Sequence, residues 1–184
     1  LAWGNNKKIY TTNNLAVFES QPFIDWLMDE TRKKNVYDAK RTYVALNRYV
    51  GKMTGIAFDV LLAAYLLDTN DNNADIEGVA QHYGYDAIQS DEAIYGKGAK
   101  KGLPEDEEVF FGHLARKIKA IQFLTSKLDS ELTEKNQADL FYKMELPLSR
   151  ILGDMEITGI RVDATRLKEM QVEFSERLKE IEEK

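Results

Sequence analysis

Short hydrophobic runs alternate with amphipathic stretches along the first two thirds of the chain. Residues 1–12 predict two short strands joined by a turn at Gly4–Asn6. The runs at 35–37 and 55–59 predict two further short strands, with a helix between them from about 40 to 49. Strands that alternate with helices indicate an α/β unit.

Several capping signals mark the expected helix starts. Ser20 stands before Pro22, which is typical of an N-cap followed by the first helical turn. Asp59 opens a strongly apolar helix that ends near Leu67. The acidic run 105–108 begins a long helix, because negative charge is favourable at the positive end of the helix dipole.

The pattern becomes almost entirely helical after about Asp129. Pro147 interrupts one helix, Gly159 closes it, and Asp163 caps a final helix. Apolar residues recur at three- and four-residue steps along that final helix, at Leu167, Met170, Phe174, Leu178 and Ile181. This apolar face needs a partner, and the chain supplies no obvious one.

Composition narrows the classes of function. The 184 residues carry a formal net charge of -6, which argues against a domain that coats nucleic acid but leaves room for a local basic groove. The chain has no cysteine, so thiolate catalysis and disulfides are excluded, and its two histidines have no ligand-like spacing. The most apolar run, 56–67, is too short to span a bilayer and contains Asp59. We therefore expect a cytoplasmic protein without a membrane segment, and the absent initiator Met suggests a fragment.

The long helix carries a lysine on its apolar side. With about 100° per residue, one sector around Phe110 also contains Leu114, Ile121, Leu124 and Leu128. Lys117 falls in the middle of this sector, His113 lies at its edge, and Arg116 and Lys119 face outward. Three interpretations of Lys117 are open. Its stem could be buried with the ammonium reaching solvent, it could be a catalytic lysine, or it could pair with a carboxylate across a cleft.

Several motifs together resemble a known family. Their order and spacing agree along essentially the whole chain: VYDAKR, GIAFD with an apolar helix ending in LLD, HLARK, and MELPLSRIL followed by ITGIRVD. They resemble bacterial DNA polymerase I of family A, most closely its Bacillus-like large fragment. The resemblance implies an α/β, RNase H-like 3'-5' exonuclease fold for residues 1–132, with an incomplete small sheet flanked by helices. It implies a helical extension for 133–184, which leads into the polymerase thumb.

The resemblance also implies where exonuclease chemistry would lie. Active members hold two divalent metals with an Asp-x-Glu on the first strand, an Asp on a middle helix and a Tyr-x-x-x-Asp on the last helix. No Asp-x-Glu occurs in residues 1–12. The middle position is open between Asp38, in VYDAKR, and Thr42. Counting back from GIAFD favours Thr42, with Asp38 one helical turn earlier. HLARK places His113 at the tyrosine and Lys117 at the aspartate.

An ammonium at a ligand position repels the cation that the site should hold. We therefore expect a degenerate, catalytically silent exonuclease domain with no metal or other cofactor of its own, whose role is structural. Lys117 is expected to pair with a surviving carboxylate, and Asp38 is the first candidate. The resemblance further implies a longer polymerase that binds DNA, uses Mg²⁺ and acts in replication and repair. The expected partners of this monomeric segment are that DNA and the remainder of the polymerase chain.

Other interpretations stay open at this point. The loop 96–102 carries Lys97, Lys100 and Lys101, which are either DNA contacts or simply solvated. An active nuclease would need a different set of acids, such as Asp38, Asp59 and Asp68. A non-catalytic helical binding module unrelated to polymerases is the other alternative.

Overall fold

The structure is a computed structural model that describes residues 1–69 and 75–183. The polar run TNDNNAD at 69–75 is typical of a loop, and its residues 70–74 lie outside the described part. The described helices and strands are, in chain order, β1 (Ala2–Gly4), β2 (Ile9–Thr11), α1 (Gln21–Met28), β3 (Lys34–Val36), α2 (Ala39–Val50), β4 (Ile56–Asp59), α3 (Val60–Leu67), α4 (Ile76–His82), α5 (Asp91–Tyr95), α6 (Glu107–Glu134), α7 (Ala138–Leu140), α8 (Leu146–Thr158) and α9 (Ala164–Glu182).

The first two strands form the predicted hairpin. β1 and β2 are antiparallel, with Ala2 opposite Thr11 and Gly4 opposite Ile9. The Asn5 side chain closes the turn by accepting from the backbone N–H groups of Lys7 and Lys8. A Cβ at Gly4 would lie 2.4 Å from the Lys8 carbonyl oxygen, so glycine permits the close approach of the two strands.

The other two strands are parallel and are connected through α2. Lys34 on β3 is opposite Ile56 on β4, and Val36 is opposite Asp59. Parallel neighbours need a crossover connection, and α2 supplies it. The α/β class with an incomplete small sheet, flanked by helices and followed by a helical extension, is thus confirmed.

Asp59 joins three of these elements. Its carboxylate accepts from the backbone N–H groups of Leu61 and Leu62, as expected for the cap of α3. It also accepts from the N–H groups of Asp38 at 3.0 Å and Ala39 at 2.7 Å, where α2 begins. The pattern indicated the first role but not the second. One buried side chain therefore fixes the start of two helices at the end of β4.

Burial also affects the charge of this carboxylate. Desolvation raises the pKa of Asp59, and the hydrogen bonds from the backbone of Ala39, Leu62 and Asp38 lower that pKa in part. The N–H donors therefore offset part of the free-energy cost of keeping the buried Asp59 carboxylate charged at this junction.

Two hydrophobic clusters form the core. One surrounds α3, α4 and the second half of α6, and its buried members include Phe58, Val60, Leu124 and Leu128. The other lies between α1, β3 and α2 and is built on residues such as Phe23, Leu27 and Tyr43. Trp26 packs against the second cluster, as expected from its helical position. Leu146, at the start of α8, contacts both clusters.

The buried face of α6 differs from the predicted sector. His113, Ala120, Leu124 and Leu128 are all fully buried, whereas Phe110, Leu114 and Ile121 are half-buried. His113 therefore lies inside the apolar face rather than at its edge. The reason is that α3 and α4 cover Leu124 and Leu128, and α5 covers His113, so the covered stripe differs from the one with the greatest hydrophobicity. Arg116 and Lys119 are exposed, as predicted.

The described residues contain no helix that is long and apolar enough to cross a membrane. The apolar helix α3 has only the eight residues Val60–Leu67.

We predict that Asp59→Ala lowers the free energy of unfolding by about 2–4 kcal/mol, because it leaves buried N–H donors of α2 and α3 without an acceptor. Urea denaturation followed by circular dichroism measures the change. The exposed Asp86 provides a matched control, and Asp86→Ala should alter stability by less than about 0.5 kcal/mol. Equal effects of the two substitutions would contradict the capping role.

Candidate functional site

Lys117 forms an ion pair, as expected, but with a different partner. Its Nζ lies 2.5 Å from Oδ1 of Asp91, and the Lys117 side chain is 24% exposed. The choice of Asp38 as first candidate is wrong. The Asp38 carboxylate caps α2 by accepting from the Arg41 N–H at 2.9 Å, and Asp91 lies on α5, which packs against α6. The charge of Lys117 is thus matched by a carboxylate from a neighbouring helix.

His113 contacts the same carboxylate. It is 0% exposed, and its Nε2 lies 2.7 Å from Asp91 Oδ1. A carboxylate accepts, so Nε2 is the protonated nitrogen of this imidazole. Nδ1 has no hydrogen-bond partner among the described residues, which in this tautomer leaves a buried acceptor rather than a buried donor. The ring of Tyr95 stands edge-on to His113, with 5.4 Å between centroids.

Asp91 is held in place by its own backbone as well as by its side chain. It is the first residue of α5, after the Ser90 cap, and its N–H donates to Oε1 of the buried Glu77 at 3.2 Å. Partial burial acts to raise the pKa of the Asp91 carboxyl. The hydrogen bonds from Lys117 and His113 outweigh burial, so the pKa of Asp91 lies below its ordinary value of 3.8.

Neither Asp91 nor Glu77 was among the site residues expected from the sequence. The S-D-E run at 90–92 is a helix-start signal that could have placed Asp91 in a first turn. No local pattern could have identified its contact with Lys117, because the two residues are 26 positions apart and belong to different helices.

Thr42 lies elsewhere. It lines a cavity of about 410 Å³ between the hairpin and β3, together with Ile118 and Ile121 of α6. Its hydroxyl donates to the Tyr37 carbonyl at 3.4 Å. Lys117 is not among the residues that line this cavity. The structure therefore places Thr42 beside the sheet and Lys117 beside α5, although the sequence assigned both residues to one predicted site.

The acids of the alternative nuclease site do not converge either. Asp59 and Asp68 stand at opposite ends of α3, which is about 12 Å long. The Asp59 and Asp38 carboxylates are both engaged with backbone N–H groups. Within 1–69 and 75–183 no three or more His, Asp or Glu residues form a group that could hold a metal ion. The carboxylates of these described residues therefore do not fit the pair of divalent ions that the fold class implies.

The basic loop 96–102 is largely exposed to solvent. Lys97 pairs with Glu92 at 3.2 Å, and both side chains are mostly exposed. Lys100 ends a short 3₁₀ turn at Gly98–Lys100, and Lys101 follows it. All three lysines are accessible to a large ligand.

Comparisons with known proteins agree with this fold. Residues 1–124 match the family described as DNA polymerase I, ribonuclease H-like domain. DNA polymerase I of Bacillus subtilis is 46% identical over 95% of this chain, and that of Geobacillus stearothermophilus is 46% identical over 87%. The chain spans about a fifth of the length of these relatives, 20% and 18% respectively.

A solved structure shows the same fold at lower identity. The POL domain of Pol1 from M. smegmatis, in complex with DNA primer-template and dNTP, aligns with a TM-score of 0.69 and 24% identity. The alignment covers 94% of this chain and 27% of that one.

The strands, their crossover helix and the helices that cover them define a ribonuclease H-like domain of the 3'-5' exonuclease type. The chain belongs to the DNA polymerase I family. The hypothesis of an unrelated helical binding module is therefore wrong, because the family match extends over most of the chain.

We predict that Asp91→Asn lowers stability in a pH-dependent manner. The folded pKa of Asp91 is depressed, so its contribution is present above the ordinary value of 3.8 and is lost as pH falls through the folded pKa. At pH 7 the substitution should cost about 1 kcal/mol after allowance for solvent screening, and the cost should decrease as pH falls below 3.8. Urea denaturation from pH 7 to 3 tests this, with Asp86→Asn as control. A cost that is independent of pH would contradict it.

Proposed function

We propose that this chain is the catalytically silent exonuclease-like domain of a DNA polymerase I, together with the first helices that lead into the polymerase domain. The observation that carries the proposal is the ion pair of Lys117 with Asp91. By the family resemblance, Lys117 occupies the position of a metal-binding aspartate. Its positive charge is satisfied by a protein carboxylate, so a divalent ion there would meet repulsion instead of a ligand.

The neighbouring positions support the same conclusion. His113 occupies the position of the family tyrosine, is fully buried and contacts the carboxylate of Asp91. Thr42 offers a neutral hydroxyl where the family has an aspartate, and that hydroxyl contacts a backbone carbonyl. Hard divalent ions need several anionic oxygens, and none of the three residues offers one. The site has been rebuilt as a structural contact between α5 and α6.

The role that remains for such a domain is to support the polymerase. In this proposal the longer protein carries out DNA-directed nucleotidyl transfer with Mg²⁺ in replication and repair, in the cytoplasm, through domains outside this chain. The relatives that support it are DNA polymerases of which this chain spans about a fifth. The chain is monomeric, and it contacts the rest of its polymerase through the exposed apolar residues of α8 and α9. They include Leu148, Ile151, Leu152, Met155, Leu167, Val172, Phe174, Leu178 and Ile181.

Catalytic silence is tested with labelled single-stranded DNA in the presence of Mg²⁺ or Mn²⁺. We expect no shortening from the 3' end above the background rate, because the carboxylates of Asp38, Asp59 and Asp91 are engaged with backbone groups and a basic side chain. Isothermal titration with Mn²⁺ alone should likewise show no site. Metal-dependent shortening that Asp38→Ala abolishes would show that the alternative, an active nuclease, is correct.

The basic loop is the proposed DNA contact of this domain. Lys97, Lys100 and Lys101 are exposed and could neutralise phosphates of DNA held by the polymerase. Changing all three to Ala should weaken duplex binding several-fold at low salt and reduce the salt dependence, since each lost phosphate contact lowers the slope by about one. Fluorescence anisotropy across a salt series measures both. The exposed outer-face pair Arg116 and Lys119, changed to Ala, is the control, and equal losses would indicate a non-specific charge effect.

A further inference from the structure

Helix α8 packs against α2, and Gly153 forms a notch in α8 at this contact. A Cβ at Gly153 would lie 2.8 Å from Cδ1 and 3.4 Å from Cε1 of Tyr43. Tyr43 is 1% exposed, so its ring cannot swing away into solvent. Gly153 is also the residue of α8 that is fully buried. The aromatic ring of Tyr43 therefore rests directly on the backbone of α8, which is possible because residue 153 has no side chain.

The interface between α2 and α8, which we call the seam, also contains polar contacts. The Tyr43 hydroxyl donates to Asp154 Oδ1 at 2.7 Å, and Lys40 Nζ pairs with Glu156 Oε2 at 2.7 Å. Lys52 adds a longer contact of 3.7 Å to Asp154. The hydrogen bond and ion pairs join residues on or next to α2 to the second half of α8. They set the rotation of α8 about its own axis, because each partner must face α2.

The segment before α8 also packs against the α/β part, through Phe141. Phe141 is 0% exposed, and its ring lies 4.9 Å from that of Phe58 on β4. Leu146 packs against both hydrophobic clusters. Residues 138–158 are thus attached to the α/β part at both ends.

The packing of the chain against the α/β part ends at Gly159. This residue has φ of +68°, and no other atom lies within 4 Å of the position of a Cβ there. Ile160 is 91% exposed, and α9 contains no buried residue. The chain therefore changes at Gly159 from a packed helix to a segment with few contacts to the α/β part.

We propose that residues 138–158 move as part of the exonuclease-like domain, positioned by the contact between Tyr43 and Gly153, and that the pivot to the following thumb helix α9 lies at Gly159–Asp163. This inference rests on the proposed structural role and gives it a mechanism. The silent domain determines the direction in which the chain leaves it through α8. Helix α9 turns relative to α8 about the link between them.

The absence of cysteine allows pairs of spin labels to be introduced without other changes. Exposed sites are Glu134 at the end of α6, Leu152 on α8 and Glu173 on α9. Double electron–electron resonance should give a narrow distance distribution for the pair 134–152 and a clearly broader one for 134–173. Similar widths for the two pairs would overturn the pivot.

The notch is tested by Gly153→Ala. We expect it to shift and broaden the 134–152 distribution and to lower the melting temperature by about 5 °C, since the new methyl group meets the buried ring. Gly112→Ala in α6 is the matched control. It is also a helical glycine, but a Cβ there meets only the flexible end of Arg116 at 3.7 Å. Adding Tyr43→Ala to Gly153→Ala should restore the 134–152 distance towards its original value.

Two outcomes would overturn the positioning role of Tyr43 and Gly153. One is that Gly153→Ala behaves like Gly112→Ala, and the other is that removal of the Tyr43 ring brings no recovery of the distance. These measurements need neither DNA nor metal. Nuclease activity would therefore contradict only the proposed silence of the exonuclease site. An unshifted 134–152 distance in Gly153→Ala would contradict only the positioning role of Tyr43 and Gly153.

Discussion

The buried carboxylate of Asp59 holds the α/β part together. It accepts hydrogen bonds from the first N–H groups of both α2 and α3 at the end of β4. Helix starts carry unpaired donors, and burial makes an unpaired donor costly. A single acidic side chain between two helix starts meets this constraint. The direction of α2, and so the positions of Thr42 and Tyr43, depends on it.

The long helix α6 is joined to the short helix α5 through a single carboxylate. Lys117 and His113 both contact Asp91, which belongs to α5. A lysine in an apolar sector would be unfavourable without such a partner. The ion pair therefore satisfies the charge of Lys117 and fastens α5 to α6.

The seam between α2 and α8 connects this local chemistry to the larger protein. Asp59 fixes the start of α2, and Tyr43 lies on α2. The ring of Tyr43 packs against α8 at Gly153. Each step is a contact between a buried group and a backbone, so each restricts position more strongly than exposed side chains would. The α/β part in this way positions α8, the helix through which the chain leaves it.

The sequence by itself determined the elements and several of their caps. The hairpin, the apolar helix capped by Asp59 and the outward direction of Arg116 and Lys119 all follow from local spacing and residue type, and the structure agrees with them. Lys117 was also recognisable as an inward-facing lysine, because this needs only the helical period. Its partner was not, since Asp91 reaches Lys117 through the packing of α5 on α6 and no local pattern records that contact. The buried face of α6, the second helix capped by Asp59 and the notch at Gly153 were decided by tertiary structure for the same reason. Each depends on which surface of a helix another element covers, and that is a property of the assembled fold.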